Sequence, residues 1–132
     1  MPQLQNLVLK DRAATPKSHT FTPRNVEQNV GTVVETTGVP VGEPRFSISL
    51  RQTADNYKAE LRLMVPVVQD QIINNVSSPV AVRQAIASAT FTFAKTSTEA
   101  ERNDIVGMFA DALATDKTLV NDCVVKLGGI YG

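Results

Sequence analysis

Polar and apolar residues alternate without a break from Arg45 to Arg51. Phe46, Ile48 and Leu50 project to one side, and Arg45, Ser47, Ser49 and Arg51 to the other, which is the period-two pattern of a half-buried strand. A second run, Lys58 to Val65, sets Ala59, Leu61, Leu63 and Val65 against Lys58, Glu60 and Arg62, with Met64 as the apolar exception. Thr53-Ala54-Asp55-Asn56 between the two runs reads as a turn. A third run, Gln84 to Phe93, points Ala85, Ala87, Ala89, Phe91 and Phe93 inward and Ile86, Ser88, Thr90 and Thr92 outward. Upstream, Gln5–Lys10 and His19–Thr22 read as short strands of a hairpin, joined by the turn-prone stretch 11–18. Val30–Thr37 reads as a further strand, after which Gly38, Pro40, Gly42 and Pro44 break the ladder. Residues 67–82, with Asn74-Asn75 and Ser77-Ser78-Pro79, are expected to form a long loop.

Past residue 97 the period changes. Thr98 followed by Glu101 is a capping-box pattern. Ile105, Met108, Phe109, Ala112 and Leu113 then recur at helical spacing as one apolar stripe. Asp116 is the expected cap of a second helix, with Leu119, Val120, Cys123, Val124 and Leu127 as its stripe and Gly128-Gly129 as its end. Strands first and helices last predict an α+β domain with segregated elements. The expected divisions are a hairpin over 1–24, a sheet over 30–95 and two helices over 98–128. The two stripes fit either of two uses: covering the sheet of their own chain, or reaching a second chain.

The 132 residues suit one domain. With five Phe, two Tyr and no Trp, the core has to be aliphatic. No run of apolar residues is long enough to cross a membrane as a helix. The first residues lack the basic-then-apolar order of a signal peptide, so the chain is expected to stay in the compartment where it is made. Net charge is zero, but its distribution is uneven. Residues 98–132 hold six acidic and three basic side chains, so the remainder carries the balancing positive excess.

Catalytic chemistry finds no constellation. His19 is the only histidine, and no phosphate loop, nucleophile elbow or spaced set of metal ligands occurs. Cys123 is the only cysteine, which excludes an internal disulfide and a cysteine-clustered zinc site. Its place in an apolar stripe makes it a small core residue. No cofactor is expected. The polar face of the central strands is richer: Arg45, Arg51, Lys58 and Arg62 stand against Glu60 alone, among the hydroxyls of Ser47, Ser49, Ser88 and Thr90. Such a face can hold phosphates through the cations and bases or sugars through the hydroxyls. It can equally be the solvated side of an antiparallel sheet.

Longer stretches carry a resemblance. Gln3-Leu4-Gln5-Asn6-Leu7-Val8-Leu9-Lys10-Asp11-Arg12, Asn29-Val30-Gly31, Ser49-Leu50-Arg51-Gln52, Val65-Pro66-Val67-Val68, Ser78-Pro79-Val80, Ser97-Thr98-Glu99-Ala100-Glu101-Arg102-Asn103 and Ile130-Tyr131 occur in an order and spacing that resembles the coat proteins of the single-stranded RNA bacteriophages, the leviviruses. The resemblance spans essentially the whole chain. Within the family it points to a phage that uses pili encoded by broad-host-range plasmids. It implies an N-terminal β-hairpin, a five-stranded antiparallel sheet and two C-terminal helices that clasp a second subunit, giving a dimer with a ten-stranded sheet. It further implies a T=3 icosahedral shell in the virion, assembled in the host cytoplasm, with the sheet turned to the packaged RNA. Binding of an operator hairpin would repress replicase translation. Partners implied are further copies of the chain, the viral RNA with its operator and the phage maturation protein.

By strand register the resemblance assigns RNA contacts to Arg45, Ser47, Ser49, Arg51, Asn56, Lys58, Glu60, Arg62, Ile86, Ser88 and Thr90. It assigns the clasp to Ile105, Met108, Phe109, Leu113, Leu119, Val120 and Val124. Two positions depart from the family's usual residues. Ile86 stands where several members have a tyrosine that stacks on a loop base, and Glu60 stands where threonine is frequent. The competing reading from the residues alone is a dimeric cellular RNA-binding regulator that builds no shell.

Overall fold

The computed structural model describes residues 3–37 and 40–132, the side chains of Pro40 and Ile73 excepted. The break expected at Gly38 lies outside them. Six strands lie in sequence order in one antiparallel sheet: β1 Leu7–Lys10, β2 Ser18–Glu27, β3 Val30–Val34, β4 Arg45–Gln52, β5 Asn56–Ile73 and β6 Val76–Ala94. Helices α1 Glu99–Ala112 and α2 Thr118–Val124 follow. Residues 1–92 and 93–132 form two compact units.

The fold class is as expected, with one more strand in the sheet, because the N-terminal hairpin is continuous with it. β2 is the link: Ser18–Phe21 pair with β1, and Thr22–Glu27 pair with β3. The register slips between Pro23 and Asn25, a bulge that accommodates a residue without an N–H inside a strand.

The long loop expected over 67–82 is not a loop. β5 runs to Ile73 and β6 starts at Val76, so only Asn74 and Asn75 turn the chain. Both have positive φ, 52° and 64°, the requirement of a two-residue hairpin turn whose twist matches its strands. Asparagine tolerates that region because its short amide can bond locally. Gln28 and Asn29, at φ 50° and 65°, make the same kind of turn between β2 and β3. Pro79, part of the expected loop, lies within β6, and Pro66 lies within β5.

Asp11 organises the first connection. Its Oδ1 accepts the backbone N–H groups of Ala13 and Lys17 at 3.1 and 3.0 Å. Its Oδ2 lies 2.8 Å from His19 Nε2, and His19 Nδ1 lies 2.6 Å from Glu35 Oε2. Carboxylates only accept, so an imidazole facing one at each nitrogen must carry both protons. The hydrogen bonds to Asp11 and then Glu35 accordingly raise the His19 pKa. The bond from His19, helped by the two backbone donors, holds the Asp11 carboxyl down at about 2. Farther along, a 3-10 turn at Pro40–Gly42 sits against β5. A Cβ on Gly42 would come within 2.6 Å of Val68 Cγ2, so this contact needs glycine.

The helical unit starts as its sequence directs. Thr98 Oγ1 accepts the Glu101 N–H at 3.2 Å, and Glu101 Oε2 accepts the Thr98 N–H at 3.4 Å, completing the capping box. Arg102 Nη1 donates to the Ser97 carbonyl at 2.8 Å and to its hydroxyl at 3.0 Å. Asp116 is not the cap of α2. Lys117 occupies that position without a side-chain hydrogen bond, and Asp116 instead pairs with the Lys117 ammonium at 3.7 Å. The chain leaves α2 through Leu127 in a left-handed conformation, φ 59°. Gly128 N–H closes over it onto the Asp122 carbonyl at 2.9 Å. Leucine thus holds the position expected of a glycine.

Burial is meagre for a chain of this size. Among the described residues the buried hydrophobic side chains are Phe21, Val33 and Val34, and neither helix contains a buried residue. Phe46, Ile48 and Leu50 do share a face, opposite Leu63, Leu61 and Ala59 of β5. That face is open, however, with Leu50 at 60% exposure.

Candidate nucleic-acid interface

The pairing of β4 with β5 assembles the charged face residue by residue. Ser47 lies opposite Arg62, Ser49 opposite Glu60 and Arg51 opposite Lys58. Successive side chains of a strand point to opposite sides, so these six share one side and the apolar pairs the other. Arg45 and Asn56 extend the face by the same alternation. Asn56 is also fixed by its backbone: its N–H donates to Thr53 Oγ1 at 3.1 Å, and its carbonyl accepts from Thr53 N at 2.8 Å. Ile86, Ser88 and Thr90 are exposed on β6, the next strand over, on the side of it opposite Ala89, Phe91 and Phe93.

Arg45, Arg51, Lys58 and Arg62 are all exposed. Ser49 is not: at 7% exposure it sits between Val30 and Glu60 of the flanking strands and is a poorer hydroxyl donor than its place in the pattern suggested. Glu60 is compensated locally. Its Oε1 lies 3.6 Å from Lys58 Nζ, two residues away on the same strand face. The pair is half exposed and contributes little to stability, but it removes the isolated negative charge from a basic surface.

The structure adds residues that sequence reasoning missed. Val30, Thr32 and Val34 stand opposite Ser49, Ser47 and Arg45, so β3 contributes to the same face. Asn25 and Glu27 follow from β2, opposite Thr32 and Val30. With Arg24, Gln28 and Arg45 these residues line an open depression of about 410 Å³. Arg24 Nη2 reaches Glu43 Oε1 at 3.8 Å, and Asn25 Nδ2 donates to Glu27 Oε1 at 3.2 Å. The slip at residues 23–25 breaks the alternation of β2, which is why its polarity pattern gave no signal.

The helical residues keep their stripe. Ile105, Met108 and Phe109 on α1, Leu113 at its C-cap, and Leu119 and Val124 on α2 are exposed, Met108 at 75%; Val120 is half-buried. Val106, outside the expected stripe, lines a separate depression with Phe93 and Arg102. Cys123 is a free, half-buried thiol. No cluster that could hold a metal ion occurs among the described residues, and no helix there is long and apolar enough to cross a membrane.

A levivirus coat protein family model matches residues 2–131. The chain belongs to the levivirus coat protein family. It is 56% identical to the capsid protein of Pseudomonas phage PRR1 over 130 residues, covering 98% of this chain and 99% of the relative. It is 28% identical to the capsid protein of Escherichia virus Qbeta, over 96% of this chain and 87% of that one. Among solved structures, the bacteriophage GA protein capsid is similar with a TM-score of 0.83 at 23% identity, covering 98% of each chain. The virus-like particle of Beihai levi-like virus 21 is similar with a TM-score of 0.80 at 26% identity, covering 99% of this chain and all of that one. A levivirus coat protein is a structural component of the virion and not an enzyme, in line with the absence of any catalytic constellation in the sequence.

Proposed function

We propose that this coat protein pairs through its helices and its β6 edge into an obligate dimer with a ten-stranded sheet, β2–β6 of each copy, the short β1 being counted with the N-terminal hairpin. Dimers then build a T=3 shell around single-stranded RNA. The observation that carries this reading is the sparse burial among the described residues: three buried hydrophobic side chains, an open apolar sheet face and two apolar helix stripes. Open apolar surface on that scale marks association. β6 ends the strand order and runs for nineteen residues, a length of edge that proteins ordinarily cover or pair. The clasp comprises Ile105, Met108, Phe109, Leu113, Leu119, Val120 and Val124. Relatives in this fold are named as virus-like particles, which supports shell formation.

The face bearing Arg45, Ser47, Ser49, Arg51, Asn56, Lys58, Glu60, Arg62, Ile86, Ser88 and Thr90 is assigned to RNA, including an operator hairpin whose binding represses replicase translation. The maturation protein is a further assigned partner, and assembly is assigned to the host cytoplasm. Two copies of the face across a dimer double its positive charge, so binding falls steeply with salt. Ile86 offers contact area but no aromatic stacking.

Expression of the chain alone in bacteria, followed by negative-stain microscopy and RNA extraction, tests the assembly. Uniform shells containing RNA are expected, and they should survive mild reductant because the one thiol, Cys123, is free and half-buried in the α2 stripe and residues 67–82 hold none. A small RNA-binding dimer that never builds shells would support the regulator reading instead. Lys58→Ala should flatten the salt dependence of hairpin binding by about one unit in the log–log slope. Ile86→Tyr should strengthen binding to hairpins with a stackable loop base by roughly 1–3 kcal/mol. No effect of either substitution at any salt concentration would remove RNA from this face.

A further inference from the structure

We propose that the depression between β2 and β3 is a second RNA subsite, which takes one unpaired nucleotide from a strand running off the central charged face. The inference rests on the RNA reading of that face and extends it. Register makes the two regions continuous: Val30, Thr32 and Val34 lie directly opposite Ser49, Ser47 and Arg45, and Arg45 both borders the depression and begins the charged row. A strand of RNA leaving that row therefore meets the depression without crossing an edge.

The chemistry suits a base more than a bare phosphate. Val30, the Thr32 methyl and Val34 give an apolar floor against which a flat ring can lie. Arg24 and Arg45 stand at the rim, where guanidinium groups stack on bases and hold the adjoining phosphate. Glu27 draws the Asn25 amide to itself at 3.2 Å and disfavours a phosphate seated deep inside. At about 410 Å³ the space falls within the roughly 300–1,000 Å³ of small-ligand sites. The Arg24–Glu43 contact is long, 3.8 Å, and the Arg24 side chain is more than half exposed, so its guanidinium can turn to a ligand.

The test uses full-length protein and two synthetic probes: an RNA hairpin with a blunt stem, and the same hairpin with an unpaired oligoadenylate tail. The tail should tighten binding to the wild type by roughly five-fold or more, the lower end for stacking one base. Arg24→Ala should abolish that gain and leave the blunt hairpin unchanged. Thr32→Leu, which fills the depression without altering charge or the Arg24–Glu43 contact, should do the same. No gain from the tail in the wild type, or a gain that survives both substitutions, would overturn the subsite. Equal weakening of both probes by Arg24→Ala would also overturn it, by making Arg24 a general charge. Failure of the wild type to bind either probe would be a different result, one that removes the underlying RNA reading.

Discussion

The sheet unit and the helical unit differ in what completes them. Residues 1–92 have hydrogen-bonded ladders, the buried trio Phe21, Val33 and Val34, and a side-chain bridge from Asp11 through His19 to Glu35. Residues 93–132 have a complete capping box and two regular helices, yet no helical residue is buried. Local signals can thus specify a helix fully while leaving its apolar stripe unsatisfied. Since most helical stability in proteins comes from packing of that stripe, the proposed pairing with a second copy bears chiefly on the helical unit.

Phe109→Ala is the most direct way to break this contrast. At 46% exposure in the single chain, Phe109 has little to lose within it. If a second copy covers the ring, truncation should cost roughly 3–5 kcal/mol and appear as lost dimer and lost soluble particles in sedimentation velocity. Wild-type particle yields from this variant would show that the stripe is not what joins the copies. Val33→Ala probes the other unit. Its side chain is already buried, so the loss should be about 2 kcal/mol from the removed methyl groups. It should lower the urea midpoint while particles of normal size still form.

Smaller effects sharpen the comparison. Thr98→Ala removes one half of the capping box and should cost about 1 kcal/mol. Faster amide hydrogen exchange confined to the first turn of α1 would report it, and unchanged protection there would show that the cap is dispensable once the helix is packed. The pH dependence of the hairpin should be smaller still, since the bridge is partly exposed. His19 has a raised pKa in the fold, so its contribution is complete below the ordinary value of 6.5 and is lost as pH rises through the raised one. Asp11 is lowered from 3.8 to about 2, so its contribution holds above 3.8 and is lost as pH falls through about 2. Urea midpoints across pH should decline at both ends for the wild type, and His19→Gln should lack the alkaline decline. Identical profiles for the two proteins would mean the bridge does not hold the hairpin.

Period-two alternation was enough to place β4 and β5 and the residues of their charged face, because successive side chains of a strand point to opposite sides and alternation alone sorts the two faces. Thr98 and Glu101 likewise announced α1, since a capping box is local chemistry. The tip of the β5–β6 hairpin was misread: Asn74-Asn75 can end either a loop or a strand pair, and only cross-strand pairing decides between them. Asp116 was a reasonable cap by residue type, but nearby Lys117 claims its carboxylate. The contribution of β2 and β3 to the charged face was hidden behind the slip at residues 23–25, where alternation loses its phase. His19 looked solitary in the sequence, yet folding brings Asp11 and Glu35 to its two nitrogens from segments eight and sixteen residues away. What the sequence determined by itself was therefore what depends on neighbours along the chain: strand faces, the first helix and its cap, and the apolar stripes. Which strands met, where the charged face extended and which apolar surfaces stayed open were decided by tertiary structure, because each depends on groups that only folding brings into contact.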